Sequence, residues 1–238
     1  MSPGVRRSRR LNSAIAAAAK VSPRGAALVD WTMADKHSAW GGPMNGQIAR
    51  QRLVRDLVCV TRPQAVVETG THRGTTTQFL AYVTGGPVFT VESDERFYHF
   101  AERRLRALPT CHLSFGDSRT FLKQLALTDA CPKERVLFYL DAHWQEDLPL
   151  PRELEVITEH WADPLILIDD FQVPLDSGYG FDDYGPGKRL TADDLPPLPG
   201  MRLLSPTIPS GEETGGRRGC CLIVSDARAA TLSDLSLA

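Results

Sequence analysis

The chain has 238 residues, of which 42% are hydrophobic and 24% charged, with a formal net charge of −2 at pH 7. That length suits one α/β domain with a short N-terminal extension, and the composition is that of a globular protein able to bury a sizeable core. The near-neutral charge argues against a basic nucleic-acid-binding face, and no run of 18 apolar residues is present to span a membrane. Neither nucleic acid nor membrane is therefore expected as a partner, and a cytoplasmic location is expected.

Arg6, Arg7, Arg9 and Arg10 precede an Ala-rich run over 14–19. The apolar stretch is too short for a secretory signal and reads as a tail leading into a short helix. Residues 1–45 lack periodic pattern and form the expected N-terminal extension, partly flexible, with Trp31 and Trp40 as anchors. Residues 46–238 form the expected domain. A helical rhythm through Ile48, Leu53, Leu57 and Val60 stops at Pro63.

Beyond Pro63 short apolar runs alternate with amphipathic stretches. Strands are expected over 65–68, 88–92, 112–115, 135–140 and 165–168. Helices are expected over 74–83, 95–108, 118–127 and 151–161. Such alternation predicts a parallel sheet with helices on both faces. Segment 176–199 reads as a long loop with one helical turn. Strands over 201–204 and 220–225 follow without an intervening helix, which predicts an antiparallel hairpin at the end of a mostly parallel, seven-stranded, Rossmann-like sheet. The cysteine count is odd and no Cys-x-x-Cys pair occurs. Cys59, Cys111, Cys220 and Cys221 sit in or beside apolar runs, so reduced, buried thiols are expected.

The first strand ends in Glu68-Thr69-Gly70-Thr71-His72-Arg73-Gly74-Thr75. In an open parallel sheet, ligands bind beyond the carboxyl ends of the strands. Gly70 lets backbone pass close to a ligand and Gly74 starts a tightly packed helix. The Gly-x-x-x-Gly spacing differs from the Gly-x-Gly-x-x-Gly that pyrophosphate normally wants. An S-adenosylmethionine (SAM) amino-acid tail needs a carboxylate and backbone N–H groups, which Glu68 and the loop Gly70, Thr71, Gly74 and Thr75 can supply. Glu92 closes the second strand, where an acid accepts from ribose hydroxyls. Asp117 and Ser118 follow the third strand, where an acid can accept from the adenine amine. Each acid alone also fits a helix N-cap, and Asp94 looks like one.

The fourth strand ends at Asp141-Ala142-His143-Trp144 and the fifth at Asp169-Asp170-Phe171. Neighbouring parallel strands put Asp141, Asp169 and Asp170 at one rim, where they repel unless a cation or protons intervene. An oxygen-only cluster suits a hard ion such as Mg²⁺. His143 and Asp141 are the catalytic candidates, His143 as general base toward an acceptor hydroxyl.

These ordered motifs, spanning 66–224, resemble class I SAM-dependent methyltransferases, and in particular the metal-dependent macrocin/mycinamicin-type and catechol-type O-methyltransferases. The resemblance implies SAM binding by Glu68, Gly70, Gly74, Glu92 and Asp117, and supports a metal at Asp141, Asp169 and Asp170. The Asp-x-His turn is similar to one in rhamnosyl O-methyltransferases and cephalosporin-hydroxylase-like proteins. Two departures leave subfamily and substrate open: Ala162-Asp163-Pro164 stands where Gly-Gly usually precedes the fifth strand, and Ala142-His143 stands where the macrocin type has Gly-Asp. The expected activity is Mg²⁺-assisted O-methylation of a small-molecule acceptor, a sugar or phenol. The alternatives are an NAD- or nucleotide-binding Rossmann enzyme and a non-catalytic SAM-fold partner protein.

Aromatic residues among glycines over 179–187 suit a mobile lid over the acceptor. The polar tip 212–218 either touches substrate or forms a solvated turn. The extension is expected to cover the acceptor pocket or to join a homodimer.

Overall fold

The structure is a computed structural model and describes residues 22–143, 147–232 and 234–237. The arginine cluster at 6–10, the Ala-rich run and Trp144 lie outside the described residues.

Seven strands are present: β1 (Ala65–Thr69), β2 (Val88–Glu92), β3 (Cys111–Phe115), β4 (Val136–Leu140), β5 (Leu165–Asp169), β6 (Met201–Leu204) and β7 (Cys220–Ser225). They form one sheet in the order β3-β2-β1-β4-β5-β7-β6. Strands β1 to β5 pair in parallel, and β7 runs antiparallel to both β5 and β6. The terminal hairpin therefore folds back so that its second strand lies inside its first. Crossover helices are needed between parallel strands, whereas the stretch between β6 and β7 is too short and too Gly-rich to form one.

The helices are α1 (Pro23–Trp31), α2 (Ala34–His37), α3 (Ile48–Thr61), α4 (Thr75–Thr84), α5 (Glu95–Leu105), α6 (Ser118–Ala126), α7 (Leu150–His160) and α8 (Asp226–Ala229). The expected helices over 46–60, 74–83, 95–108, 118–127 and 151–161 correspond to α3 to α7. The expected turn in the long loop is a 3₁₀ turn over Ala192–Asp194.

Strands β1, β2, β4 and β5 are buried along their whole length, while the edge strands β3 and β6 are only partly so. Burial on both faces explains why the inner strands read as continuous apolar runs. Alternate residues feed two cores. Val67, Phe138, Leu140 and Ile168 pack with Leu122, Leu154 and Ile157 of α6 and α7. Val66, Leu137, Tyr139 and Leu167 pack with Val54, Leu57 and Leu80 of α3 and α4. Two helical layers thus clamp the sheet and leave the carboxyl ends of the strands as its functional rim, with the strand order reversing between β1 and β4.

Two sequence expectations are corrected here. Cys59 is exposed, whereas Cys131, Cys220 and Cys221 are buried as free thiols. Trp31 anchors the N-terminal arm, its ring 5.0 Å from that of Phe100, but Trp40 is 72% exposed rather than packed as an anchor would be. No helix of the described residues is long and apolar enough to cross a membrane.

Candidate active site

The loop after β1 is built from below. Glu68 is fully buried beneath it, and its Oε2 accepts hydrogen bonds from the hydroxyls of Thr77 on α4 and Thr90 on β2, the latter at 2.6 Å. Thr71 in turn lies 2.6 Å from Thr90. Burial pushes the Glu68 carboxyl up to about 7, against the opposing pull of the two threonine hydroxyls. Glu68 thus lies in the floor of the loop. Its Oε1 and the neighbouring Thr69 Oγ1 are buried without a hydrogen-bond partner among the described residues.

Gly70 has φ +85°, and a Cβ there would stand 2.2 Å from the carbonyl oxygen of Asp141. Only glycine lets the end of β1 touch the end of β4 so closely. Gly74 (φ +73°) precedes α4 and closes the turn by donating to the Thr71 carbonyl at 2.8 Å, and Thr75 opens the helix. The first N–H groups of α4 have no intrahelical partner and face the loop side, as an anionic ligand group requires.

Glu92 ends β2. Its carboxylate accepts from the backbone N–H of His72 at 2.5 Å and of Asp94 at 2.8 Å, which ties the cofactor-type loop to the second strand. Burial pushes its carboxyl up, and the backbone donors oppose that. His72 is driven down to about 4, by burial first and then by Arg73, so it is neutral at pH 7. Asp94 caps α5, as its sequence context predicts. Asp117 also proves to be a helix cap. It accepts from the N–H groups of Arg119 and Thr120 and pairs with the Arg119 guanidinium, which reaches on to Asp147 at 2.9 Å. Ser118, the first residue of α6, is buried.

Sequence reasoning missed Glu153. It lies on the apolar face of α7 between Leu150 and Leu154, fully buried, with the hydroxyls of Ser118 and Thr69 beside it. Burial pushes its carboxyl up to about 7, and its Oε1 is unpartnered among the described residues. A single acid within a helical apolar stripe carries no signal of its own in sequence.

At the ends of β4 and β5 the structure brings together Asp141, His143 and Asp170, whose candidate ligand atoms all lie within 4.8 Å of one another. Asp169 is corrected out of this cluster. It is buried in an ion pair with Arg50 of α3, and it also accepts from the Tyr139 hydroxyl at 2.6 Å and from the Asp170 N–H at 2.8 Å. The alternation of a strand explains the swap, because consecutive residues point to opposite faces. Asp169 points toward the α3 layer, and Asp170, in a left-handed conformation (φ 52°), leaves the strand toward the rim. The Asp141 carboxyl is pushed well above its ordinary range by burial and then by Asp170, Glu68 and Asp182, although about a third of its side chain (35%) stays open to solvent. Burial pulls His143 down, so its imidazole is neutral.

The segment expected as a lid lies over this cluster and is tied down. Asp182 donates its N–H to the Asp170 carbonyl at 2.9 Å, and Tyr179 is buried with its hydroxyl on the Ile208 carbonyl. Arg218, just before β7, donates to Asp170 at 2.7 Å and also pairs with Asp182. The tip 212–218 is mostly exposed, as a solvated turn would be, but Glu213 within it is buried and accepts from the N–H groups of Ala49 and Arg50 at the start of α3. The N-terminal arm reaches the same region, with the Gln47 amide donating to and accepting from the Arg218 backbone. Farther back, Asp30 of α1 pairs with Arg96 and Arg73, which holds the arm against the loop after β1.

The topology and this rim define the class I methyltransferase fold. The structure is similar to the O-methyltransferase of Bacillus cereus in complex with SAH, with a TM-score of 0.53, 17% identity, and 75% of this chain and 81% of that one covered. It is also similar to the O-methyltransferase TomG of Streptomyces achromogenes in complex with SAM (TM-score 0.50, 14% identity, 74% and 79% covered). A third similar structure is MtNAS in complex with MTA and tNA (TM-score 0.52, 14% identity, 85% and 69% covered). No protein-family model matches the sequence, and neither does any curated protein.

Proposed function

We propose that this chain is a SAM-dependent methyltransferase that transfers a methyl group to a hydroxyl of a small molecule, a sugar or phenol, with the help of a divalent cation. The observation that carries this reading is the contact between Gly70 and Asp141. It makes the loop suited to a SAM tail and the cluster suited to a cation share one wall, so donor and acceptor sites are adjacent. The similar folds found with SAM or SAH support the choice of cofactor.

The residues present fit both groups. For SAM, Glu92 is the ribose acceptor, the α4 N-terminus and the loop Gly70 to Thr75 face the amino-acid end, and Glu68 carries a buried oxygen without a partner among the described residues. For the cation, Asp141, Asp170 and His143 offer two carboxylates and a neutral imidazole at one point of the rim. Bound SAM supplies a methyl on a sulfonium, which leaves as a neutral thioether as the acceptor oxygen attacks in line. A divalent cation supplies positive charge that lowers the pKa of the acceptor hydroxyl. Asp141, about a third of whose side chain is open to solvent, and Asp170 would hold the cation beside the acceptor hydroxyl.

The test is methyl transfer from labelled SAM to a panel of catechols, other phenols and sugar alcohols, in the presence of divalent ions and in EDTA. Label in an ether-linked methyl group, suppressed by EDTA, is the expected result. SAM binding without transfer to any acceptor would favour a non-catalytic partner role instead.

A further inference from the structure

We infer that Asp141, His143 and Asp170 form a mixed nitrogen–oxygen site for a first-row transition-metal ion, with His143 Nε2 as a direct ligand and Asp169 outside the set. The inference rests on the cation-assisted reading above and changes the identity of the cation.

His143 is 5% exposed, and its Nε2 has no hydrogen-bond partner among the described residues. A buried imidazole nitrogen left without a partner costs free energy unless something meets it. Two carboxylates stand close to it, Asp141 Oδ1 at 3.8 Å and Asp182 Oδ2 at 3.9 Å. Both are too far for a hydrogen bond. They are not too far for atoms that share an ion: ligands about 2.0–2.2 Å from a metal stand about 3 to 4.4 Å from one another. The 4.8 Å envelope of the three candidate ligand atoms needs only a small closure to reach that spacing.

The remaining acids are committed elsewhere. Both oxygens of Asp169 are used by Arg50, Tyr139 and the Asp170 N–H. Asp182 is engaged by Arg218 on one oxygen and by the Tyr184 hydroxyl on the other. Arg218 takes only Oδ1 of Asp170 and leaves the second oxygen for an ion. Among the described residues the available set is therefore two carboxylates and one imidazole. Mg²⁺ prefers oxygen and water, whereas imidazole suits Fe²⁺, Ni²⁺, Cu²⁺ and Zn²⁺; Mn²⁺, which takes carboxylate and water readily, serves as a paramagnetic probe of the site. A buried imidazole nitrogen without a partner, set beside two carboxylates, thus favours a transition ion over Mg²⁺.

The test is direct and needs no turnover. Mn²⁺ is added to the full chain and observed by spin-echo electron paramagnetic resonance, and Mn²⁺ and Mg²⁺ affinities are measured by calorimetry. One equivalent of Mn²⁺ with nitrogen modulation is expected, bound at least about tenfold (about 1.4 kcal/mol) more tightly than Mg²⁺. The modulation should vanish in His143→Gln, and Asp170→Asn should weaken Mn²⁺ in a chain whose circular dichroism is unchanged. Mn²⁺ bound without nitrogen modulation in the wild type, or Mg²⁺ bound as tightly, overturns the inference without recourse to any variant. S-adenosylhomocysteine is titrated into the same samples. If it binds while no divalent ion does, the metal site fails and the SAM reading stands; if it does not bind, the SAM reading fails and the Mn²⁺ spectrum still decides the site.

Discussion

Arg50 and Asp169 form a buried ion pair that joins the start of α3 to the end of β5, directly behind the acid cluster. The pair turns an apparent metal ligand into a structural one. Removing one partner leaves an uncompensated buried charge, so Arg50→Met and Asp169→Leu are each expected to cost about 3–5 kcal/mol in urea denaturation. The double variant should recover part of that loss. A single variant as stable as the wild type would show that the pair does not hold the two elements together.

Gly70 tests the contact between loop and cluster. A Cβ would meet the Asp141 carbonyl at 2.2 Å with φ at +85°. Gly70→Ala is expected to cost about 2–4 kcal/mol through overpacking and backbone strain, and to weaken S-adenosylhomocysteine at the same time. Unchanged melting and unchanged binding would mean that β1 and β4 are farther apart in solution.

Glu92 and Asp117 separate two roles for carboxylates at strand ends. Glu92→Ala should weaken S-adenosylhomocysteine by about tenfold or more, since it removes both the proposed ribose acceptor and the tether of the His72 N–H. Asp117→Ala should instead cost about 1 kcal/mol of stability through loss of a helix cap, with little effect on affinity. The opposite ranking in calorimetry would return Asp117 to the adenine-binding role that its position in sequence suggests.

Glu153 gives the stability of the chain a pH dependence. Its ordinary value of 4.5 is raised to about 7 in the fold by burial. The folded chain therefore favours the protonated form, and this contribution is fully present below pH 4.5 and is lost as pH rises through about 7. Glu153→Gln should melt at the same temperature as the wild type near pH 4.5 and be more stable by roughly 1–3 kcal/mol at pH 8. Glu68, also raised to about 7, adds a slope of the same sign that remains in the variant. Parallel melting curves for the two proteins from pH 4.5 to 8 would contradict the buried placement of Glu153.

The seven strands were readable in sequence because the inner ones are buried on both faces and appear as unbroken apolar runs between turn residues. The hairpin was readable because 205–219 cannot hold a crossover helix. Glycines 70 and 74 were readable from spacing alone. The rim itself was less so. Asp169 and Asp170 are neighbours in sequence, and only the strand's alternation, together with an arginine 119 positions upstream, sends one inward and the other to the cluster. Arg218, Asp182 and Glu153 were missed for the same reason: each gains its role from a residue distant in sequence, and none stands in a local pattern that announces it. His143 was singled out, but its unpartnered nitrogen and the distances to Asp141 and Asp182 exist only in three dimensions.

The most direct measurement of the proposed activity is calorimetric titration of S-adenosylhomocysteine into the folded chain, with NAD as a control, in the presence of a divalent ion and in EDTA. The account expects saturable one-to-one binding in about the micromolar range in both buffers, and no heat with NAD. Absence of binding in both buffers, or preference for NAD, would contradict it.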